Sequence, residues 1–261
     1  MNKFFNSSIQ NKANWNIRYL IFSHILVACL VFSIFYQPLY SLTWKLLDEG
    51  CSHFLTSTIT RSSFWQNFWA LANHRIGDAI EDICFVLFFI WLIKTTPKGG
   101  KLKKSAEFIF LALLTAAVVI FINNLLFKQI VHIKRHSPSL ILDSLPRLSD
   151  YISWIKVKSA SKASFPSDHS TTAVMFVTNF FLLSKNRPLL ITVSLYGIFL
   201  CCPRLIAGAH WITDILCGST SVVLIIFSWA LCSPFASFCI KKIHKMLLLV
   251  SSFFITPLRK V

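Results

Sequence analysis

The chain has 261 residues, of which 55% are hydrophobic and 14% charged, and its mean hydropathy is +0.63. A soluble domain of this length is not so apolar, so the composition predicts an integral membrane protein. The formal net charge of +16 does not indicate nucleic-acid binding, because the cations lie in short runs between apolar stretches. Such runs are typical of loops that face anionic lipid headgroups or a phosphorylated substrate.

Six apolar segments predict an all-α, polytopic protein with six transmembrane helices, since their mean length is near that needed to cross a hydrocarbon core. In order, they are about Ile17–Tyr36, Ile76–Ile93, Ala106–Phe127, Ser170–Leu183, Leu189–Cys202 and Trp211–Leu231. The fourth and fifth reach full length only if Ser167–Thr172 and Arg204–Gly208 belong to the helical ends. No repeat or low-complexity segment divides the chain, so we expect one membrane domain over residues 1–261.

Basic residues predict the orientation of these helices. They crowd the link after the second segment, the tight link after the fourth and the stretch after the sixth, which places these parts and both termini in the cytoplasm. The residues concerned are Lys94, Lys98, Lys101, Lys103, Lys104, Lys185, Arg187, Lys241, Lys242 and Lys245. The loop from Lys128 to Phe165 is the exception, because its seven Lys and Arg residues lie on the predicted outer side. This departure indicates that the loop binds an anion.

Two further segments favour helices that lie in the membrane interface. The outer segment from Ser41 to Arg75 is rich in tryptophan and phenylalanine, which predicts one or two interfacial helices. The segment from Phe235 to Pro257 is amphipathic and lysine-bearing, so residues 235–261 are expected to form a tail on the cytoplasmic face. The first apolar segment ends without a small-residue cleavage site, and we expect it to remain as a signal anchor.

The stretch PRLIAGAHWITD, from Pro203 to Asp214, carries the first candidate site residues. If a helix begins at Ile206, His210 and Asp214 stand one turn apart on one face. The carboxylate can then accept the imidazole N–H and leave the other nitrogen free as a nucleophile. Arg204 offers a planar fork that suits phosphate oxygens. Taken alone, this spacing is also that of an ordinary polar pair on a helix.

The predicted topology brings two more stretches to the same outer surface. Lys128 and Arg135 follow the third segment, and SFPSDHS, from Ser164 to Ser170, opens the fourth. Ser167 and the free backbone N–H groups at this helix start are suited to bind an anion. His169 lies in the first turn, where it can protonate a departing oxygen.

Together these residues suit phosphoryl transfer. His210 would attack phosphorus and form a phosphohistidine, while Lys128, Arg135 and Arg204 would neutralise the equatorial oxygens. Three such cations make a metal ion unnecessary, and the sequence has no carboxylate cluster suited to hold one. We therefore expect neither a metal nor another cofactor.

Three motifs resemble the signature of the type-2 phosphatidic acid phosphatase superfamily, and they cover the third to sixth segments. The motifs are Lys128-x6-Arg135, Pro166-Ser167-x-His169 and Arg204-x5-His210-x3-Asp214. The resemblance implies a six-helix membrane fold, no metal and a phosphohistidine intermediate. By motif position it implies that His210 is the nucleophile, that Asp214 orients it and that His169 is the acid and base.

The chain departs from the superfamily pattern at three places. Arg135 is followed by His136-Ser137-Pro138 instead of proline, Asp168 stands where glycine is usual, and Pro203 stands where serine is usual. A carboxylate at position 168 weakens phosphate binding unless it points away or pairs with a cation.

With these departures, the chain resembles the branch of the superfamily that synthesises lipid A 1-diphosphate. The similarity extends to Leu71–Arg75, Asp78 and Gly218. That branch implies transfer of a phosphate from undecaprenyl diphosphate to the 1-phosphate of lipid A, at the periplasmic face of the bacterial inner membrane. Arg75 and Asp78 are candidates to contact the second substrate, although capping of the second helix also explains Asp78.

Two alternatives stay open from the sequence. The PSDH motif also resembles phosphatases of the bacitracin-resistance type, which act on undecaprenyl diphosphate, so water is a second possible acceptor. A non-catalytic membrane protein that binds lipid phosphates is the third hypothesis. Retention of every ionisable signature residue argues against it.

Overall fold

The computed structural model describes residues 15–131 and 133–255, which are mostly helical and contain no strand. The helices are α1 (Ile17–Phe35), α2 (Gln37–Thr43), α3 (Lys45–Ser57), α4 (Ser63–Ala72), α5 (Arg75–Thr95), α6 (Lys101–Ala117), α7 (Pro138–Ile141), α8 (Leu148–Tyr151), α9 (Asp168–Leu183), α10 (Arg187–Ile206), α11 (Thr220–Cys232) and α12 (Phe235–Ile255). Short 3₁₀ turns at Thr58–Arg61 and Lys98–Gly100 join neighbouring helices. The predicted all-α class is confirmed.

Four helical segments are long and apolar enough to cross a membrane. They are Ile17–Phe35, Lys98–Phe127, Arg187–Ile206 and Asp214–Cys232. They correspond to the first, third, fifth and sixth apolar segments of the sequence. The chain is therefore built around apolar helices of membrane-spanning length.

The second and fourth segments do form helices but do not meet the same criteria. Helix α5 has 21 residues, yet its first turns carry Arg75, Asp78, Glu81 and Asp82. Helix α9 has only 16 residues. Four spans are thus supported in the described part of the chain, and six spans stay a prediction.

One apolar core joins the helices that carry the predicted site. Its buried side chains come from α5, α6, α9, α10, α11 and α12 and include Leu92, Leu111, Phe180, Val193, Phe227 and Ile240. Helices α9 and α10 form a hairpin with a short turn, because Asn186 caps α10 by accepting the Leu189 N–H at 3.0 Å. Pro188 follows in the first turn of α10, where its missing N–H costs no helical hydrogen bond. The hairpin sets the start of α9 beside the end of α10.

The outer segment folds as three helices, α2 to α4, where the sequence predicted one or two. A second apolar cluster joins this segment to the end of α10 and includes Ile59, Trp69, Leu148, Ile152 and Ile206. Residues of α8 and its flanks therefore lie against the outer helices and α10. Location in the membrane interface stays a prediction for α2 to α4.

Helix α12 forms most of the predicted C-terminal tail, whose residues 256–261 lie outside the described part. Its first half packs on α6, since Ala236 and Ile240 are buried in the core and the rings of Phe110 and Phe235 lie 5.9 Å apart. Its later residues Met246 and Leu248 to Val250 are exposed. The interfacial, cytoplasmic position of this helix also stays a prediction.

Two stretches of π-helix adjoin the site. Helix α6 continues as a π-helix over Val118–Val131, and Asp214–Ser219 precedes α11 with the same geometry. Such π-helical turns are rare, and they frequently occur at functional sites. Nothing in the hydrophobic pattern distinguishes them from α-helix, so the sequence did not predict them.

A glycine with positive φ separates α10 from the segment that carries His210. Gly208 has a φ of +70° and follows the end of α10 at Ile206. Ala209 N–H bonds to the Arg204 carbonyl at 3.0 Å, which closes the helix. The interpretation that a helix begins at Ile206 was therefore wrong, because the turn at Gly208 ends one helix and the next begins after His210.

We expect Gly208→Ala to lower the free energy of unfolding by about 1–2 kcal/mol or more, because an L-residue is strained at this φ. An added Cβ would also lie 3.2 Å from Ser139 Cβ. Gly50→Ala is the matched control, since nothing lies within 4 Å of its added Cβ. Thermal unfolding in detergent measures both, and equal stability of the two variants would contradict the expectation.

Candidate active site

The imidazole of His210 is buried and held through one nitrogen. Its Nδ1 lies 2.7 Å from the Ser164 carbonyl oxygen and 3.5 Å from Asp214 Oδ2, and the residue is 5% exposed. The nearer acceptor is the backbone carbonyl, so Nδ1 carries the proton and donates it there. Nε2 then holds a lone pair, which is the form that a nucleophilic histidine requires.

Asp214 contacts His210 less closely than the sequence spacing suggested. Its Oδ1 accepts a hydrogen bond from Arg135 Nη1, and its Oδ2 accepts the Trp211 N–H at 2.8 Å. The carboxylate lies 3.5 Å from the ring nitrogen. It therefore supports the His210 segment through Trp211 and adds negative charge beside the imidazole.

Arg135 links the first motif to the third. Its Nη2 donates to Asp48 Oδ2 at 2.9 Å and to Thr213 Oγ1 at 2.8 Å, in addition to the bond with Asp214. Its side chain is 12% exposed. Burial opposes the charged guanidinium, but the carboxylates of Asp214 and Asp48 outweigh it and raise the pKa of Arg135. Phosphate binding by Arg135 stays a prediction, since both of its terminal nitrogens contact carboxylates here.

Asp48, on α3, is a residue that the sequence analysis missed. It is fully buried, and it accepts four hydrogen bonds: from Thr213 N at 3.0 Å, Thr213 Oγ1 at 2.7 Å, Tyr40 Oη at 3.0 Å and Arg135 Nη2 at 2.9 Å. Burial raises the pKa of Asp48, and the bond from Thr213 and the charge of Arg135 partly offset this. We name Asp48, Arg135, Thr213 and Asp214 the buried ionic cluster.

The second half of the site joins the second and third motifs. Arg204 Nη2 lies 2.8 Å from His169 Nε2, and His169 Nε2 lies 3.3 Å from Asp78 Oδ1. Because a guanidinium only donates, Nε2 accepts this bond and the neutral ring carries its proton on Nδ1. If Nε2 carried the proton, it would donate a hydrogen bond to Asp78 instead, and its N–H would repel the N–H groups of Arg204. His169 can therefore bond to Arg204 or donate to Asp78, but it cannot do both at once.

Asn73 is the second residue that the motifs did not single out. Its Oδ1 accepts a hydrogen bond from Arg204 Nη1, and its Nδ2 donates to the Pro203 carbonyl at 3.1 Å. The side chain is 6% exposed. It orients the guanidinium of Arg204 toward His169. The similarity noted over Leu71–Arg75 was the available signal, but it gave no role to this residue.

Ser167 is a helix cap in the structure. Its hydroxyl accepts the Ser170 N–H at 3.4 Å, and its carbonyl accepts hydrogen bonds from Thr171 Oγ1 and Ser219 Oγ. The residue is 0% exposed, so the hydroxyl supports the start of α9. Its predicted contact with phosphate is untested. Lys128 belongs to the π-helix Val118–Val131, and its side chain lies outside the described part of the structure.

The site residues border two cavities. One, of about 800 Å³, is lined by Arg75, Asp78 and Arg204 together with the loop from Arg147 to Ala160. The other, of about 470 Å³, is lined by Lys134, Arg135 and Trp211. Arg75, Asp78 and Arg204 thus share one opening, and Arg135 faces another.

Within residues 15–131 and 133–255, no three His, Cys, Asp or Glu side chains lie close enough to share a metal ion. The chemistry that these residues themselves support rests on cations and imidazoles. The imidazole of His210 can provide a lone pair, that of His169 can accept or donate a proton, and Arg204 carries a positive charge.

Comparison with known proteins agrees with the motifs. The model of the PAP2 superfamily matches residues 107–238. The chain belongs to the PAP2 superfamily. The resemblance seen in the three motifs is thereby confirmed, and the matched range contains each of them. PAP2 membership points to a lipid phosphatase or phosphotransferase.

One characterised relative of this PAP2 chain is the lipid A 1-diphosphate synthase of Escherichia coli (strain K12). The two are 29% identical over 211 residues, which cover 80% of this chain and 85% of the relative. No solved structure matches the chain significantly. An integral inner-membrane protein agrees with this relative and with the apolar helices.

We expect Asp48→Asn to lower the free energy of unfolding by about 1–3 kcal/mol. Both oxygens of Asp48 accept hydrogen bonds, and an amide has one accepting oxygen fewer, so a buried donor is left without an acceptor. Glu49→Gln on the same helix is the matched control. Its pair with Lys45, at 3.9 Å with side chains 54% and 40% exposed, should contribute less than about 1 kcal/mol. Equal melting temperatures for the two variants in detergent would show that the buried ionic cluster does not stabilise this PAP2 fold.

Proposed function

We propose that the protein is a lipid phosphotransferase that moves a phosphate from undecaprenyl diphosphate to the 1-phosphate of lipid A through a phosphohistidine at His210. The observation that carries this proposal is the buried imidazole of His210, whose Nδ1 proton is held by the Ser164 carbonyl at 2.7 Å. The lone pair on Nε2 is thereby available for attack on phosphorus. The relative named above supports lipid A as the acceptor.

In the first step, His210 Nε2 attacks the terminal phosphorus of the diphosphate. A nitrogen–phosphorus bond forms while the bond to the bridging oxygen breaks, and undecaprenyl phosphate leaves. His169, protonated in this state, gives its proton to the departing oxygen. The negative charge of the bound diphosphate favours that protonation, since a nearby anion raises the pKa of an imidazole.

Arg204 has a second task in this step. In the described structure it donates to His169 Nε2 at 2.8 Å, and phosphate oxygens are stronger partners for a guanidinium than an imidazole is. A bound phosphate draws Arg204 away and frees Nε2 to take up a proton beside Asp78. Substrate binding and protonation of His169 therefore support one another.

In the second step, an oxygen of the lipid A 1-phosphate attacks the phosphorus of phosphohistidine. The nitrogen–phosphorus bond breaks, His210 recovers its lone pair, and His169 takes the proton that the acceptor oxygen loses. Atoms and charges balance without a cofactor. Water in place of lipid A gives free phosphate, which is the hydrolase alternative.

The site is proposed to face the periplasm, with the six helical segments α1, α5, α6, α9, α10 and α11 as spans. The cations of the 128–165 loop then lie on the outer side, against the positive-inside tendency. We attribute this exception to their binding of substrate phosphates. We propose that both termini lie in the cytoplasm, with α12 against the inner face of the membrane.

The test supplies purified protein with undecaprenyl diphosphate labelled at its terminal phosphate, with and without lipid A. We expect label on lipid A, and a decrease in this transfer by about 10³-fold or more in His210→Ala, because the nucleophile is removed. His53→Ala, which changes an exposed histidine of α3, should retain the rate.

The outcomes separate the hypotheses. Free labelled phosphate in equal yield with and without lipid A would overturn the transferase and favour the hydrolase. Full activity of His210→Ala would overturn the phosphohistidine. Acid-labile, base-stable label on the protein itself, absent from His210→Ala, would support it directly.

A further inference from the structure

The cavity of about 800 Å³ beside Arg204 is strongly cationic, and no proposed step of the reaction uses most of it. Five cations line it, Arg75, Arg147, Lys156, Lys158 and Arg204, against the single carboxylate of Asp78. Its volume lies within the range of about 300–1,000 Å³ that is typical of small-molecule sites. An occupant of this cavity must carry more than one negative charge or a charge together with many hydroxyl groups.

The wall formed by residues 147–160 is held in place by the protein. Ser139 Oγ donates to the Ser159 carbonyl at 2.6 Å, and Arg147 Nη2 donates to the Ser139 carbonyl at 2.9 Å. Leu148 and Ile152 are buried against Trp69. Hydrogen bonds and packing therefore fix the conformation of the loop that carries these cations, which limits the conformational entropy that is lost when they bind an anion.

Position separates this cavity from the reacting groups but keeps it next to them. Arg204 and Asp78, which contact His169, form part of its lining, whereas His210 and His169 do not. The groups that contact His169 lie on the side of the cavity formed by Arg204 and Asp78, whereas Lys156 belongs to the wall formed by residues 147–160. A second phosphate can bind at this wall when a spacer of sugar size joins it to the phosphate that reacts.

We propose that this cavity binds the acceptor headgroup, a phosphorylated disaccharide whose remote phosphate contacts Lys156 and Arg75 while its near phosphate faces Arg204. This inference rests on the proposed transfer to lipid A and extends it, since it assigns a binding site to the phosphate that does not react. It also assigns Arg75 to the acceptor. The site selects acceptors that are phosphorylated at both ends.

The experiment compares two acceptors, lipid A with both phosphates and lipid A that retains only the 1-phosphate. With the unmodified protein we expect a KM about tenfold higher for the second acceptor, because it lacks one charge-assisted contact. Lys156→Ala and Arg75→Ala should each raise the KM for the doubly phosphorylated acceptor by about tenfold. Neither should change the KM for the acceptor that lacks the remote phosphate.

Lys162→Ala is the matched control, because this lysine is exposed in the same loop and does not line the cavity. It should leave both KM values unchanged. The KM for undecaprenyl diphosphate should stay constant in all three variants, and a rise in that KM would show that the cavity binds the donor instead.

The remaining outcomes are also decisive. Equal KM increases for both acceptors in Lys156→Ala would overturn recognition of the remote phosphate while leaving the transfer reaction intact. Unchanged KM values in both Lys156→Ala and Arg75→Ala would overturn the site. Absence of transfer to either acceptor by the unmodified protein would refute the proposed function itself.

Discussion

The guanidinium of Arg135, shared by the carboxylates of Asp48 and Asp214, is the interaction on which the site depends. It joins three segments that are distant in the sequence: helix α3, the stretch after α6 and the turn that leads into α11. Two buried carboxylates repel each other unless a cation lies between them, and hydrogen bonds from Thr213 and Trp211 complete their coordination. Because Trp211 and Thr213 lie within three residues of His210, the same contacts determine where its imidazole lies.

The site is divided into a buried part and an open part, and the two are joined by the chain from Arg204 to His210. In the buried part, a carbonyl oxygen and a saturated ionic cluster hold one imidazole in one tautomer. In the open part, His169 lies between a cation and a carboxylate and has two exclusive bonding states. The contrast agrees with the two proposed roles. A nucleophile benefits from one fixed protonation state, whereas a group that acts as acid and base must change its protonation state.

The sequence predicted those parts that depend on short spacings and failed where distant segments meet. The apolar pattern gave the helices, and the motifs gave Arg135, His169, Arg204, His210 and Asp214. Asp48 and Asn73 were missed because they contact Thr213 and Arg204 across 165 and 131 positions, and single polar residues on outer helices carry no periodic signal. The Ser164 carbonyl was also missed as a partner of His210 beside Asp214, since no side chain marks it. Gly208, between Arg204 and His210, was the overlooked sign that the helix ends there.

The shortness of α9 has a consequence for how a lipid meets this protein. At 16 residues, the helix rises about 24 Å, whereas a hydrocarbon core is about 30 Å thick. If α9 crosses the membrane, as proposed, this hydrophobic mismatch would draw the adjacent lipids inward or leave the polar end of the helix below the headgroup plane. His169 stands at that end. A long-chain lipid could then present its phosphate to the imidazole while its tail stays in the membrane. The bilayer would thus help to bring the phosphate to the site.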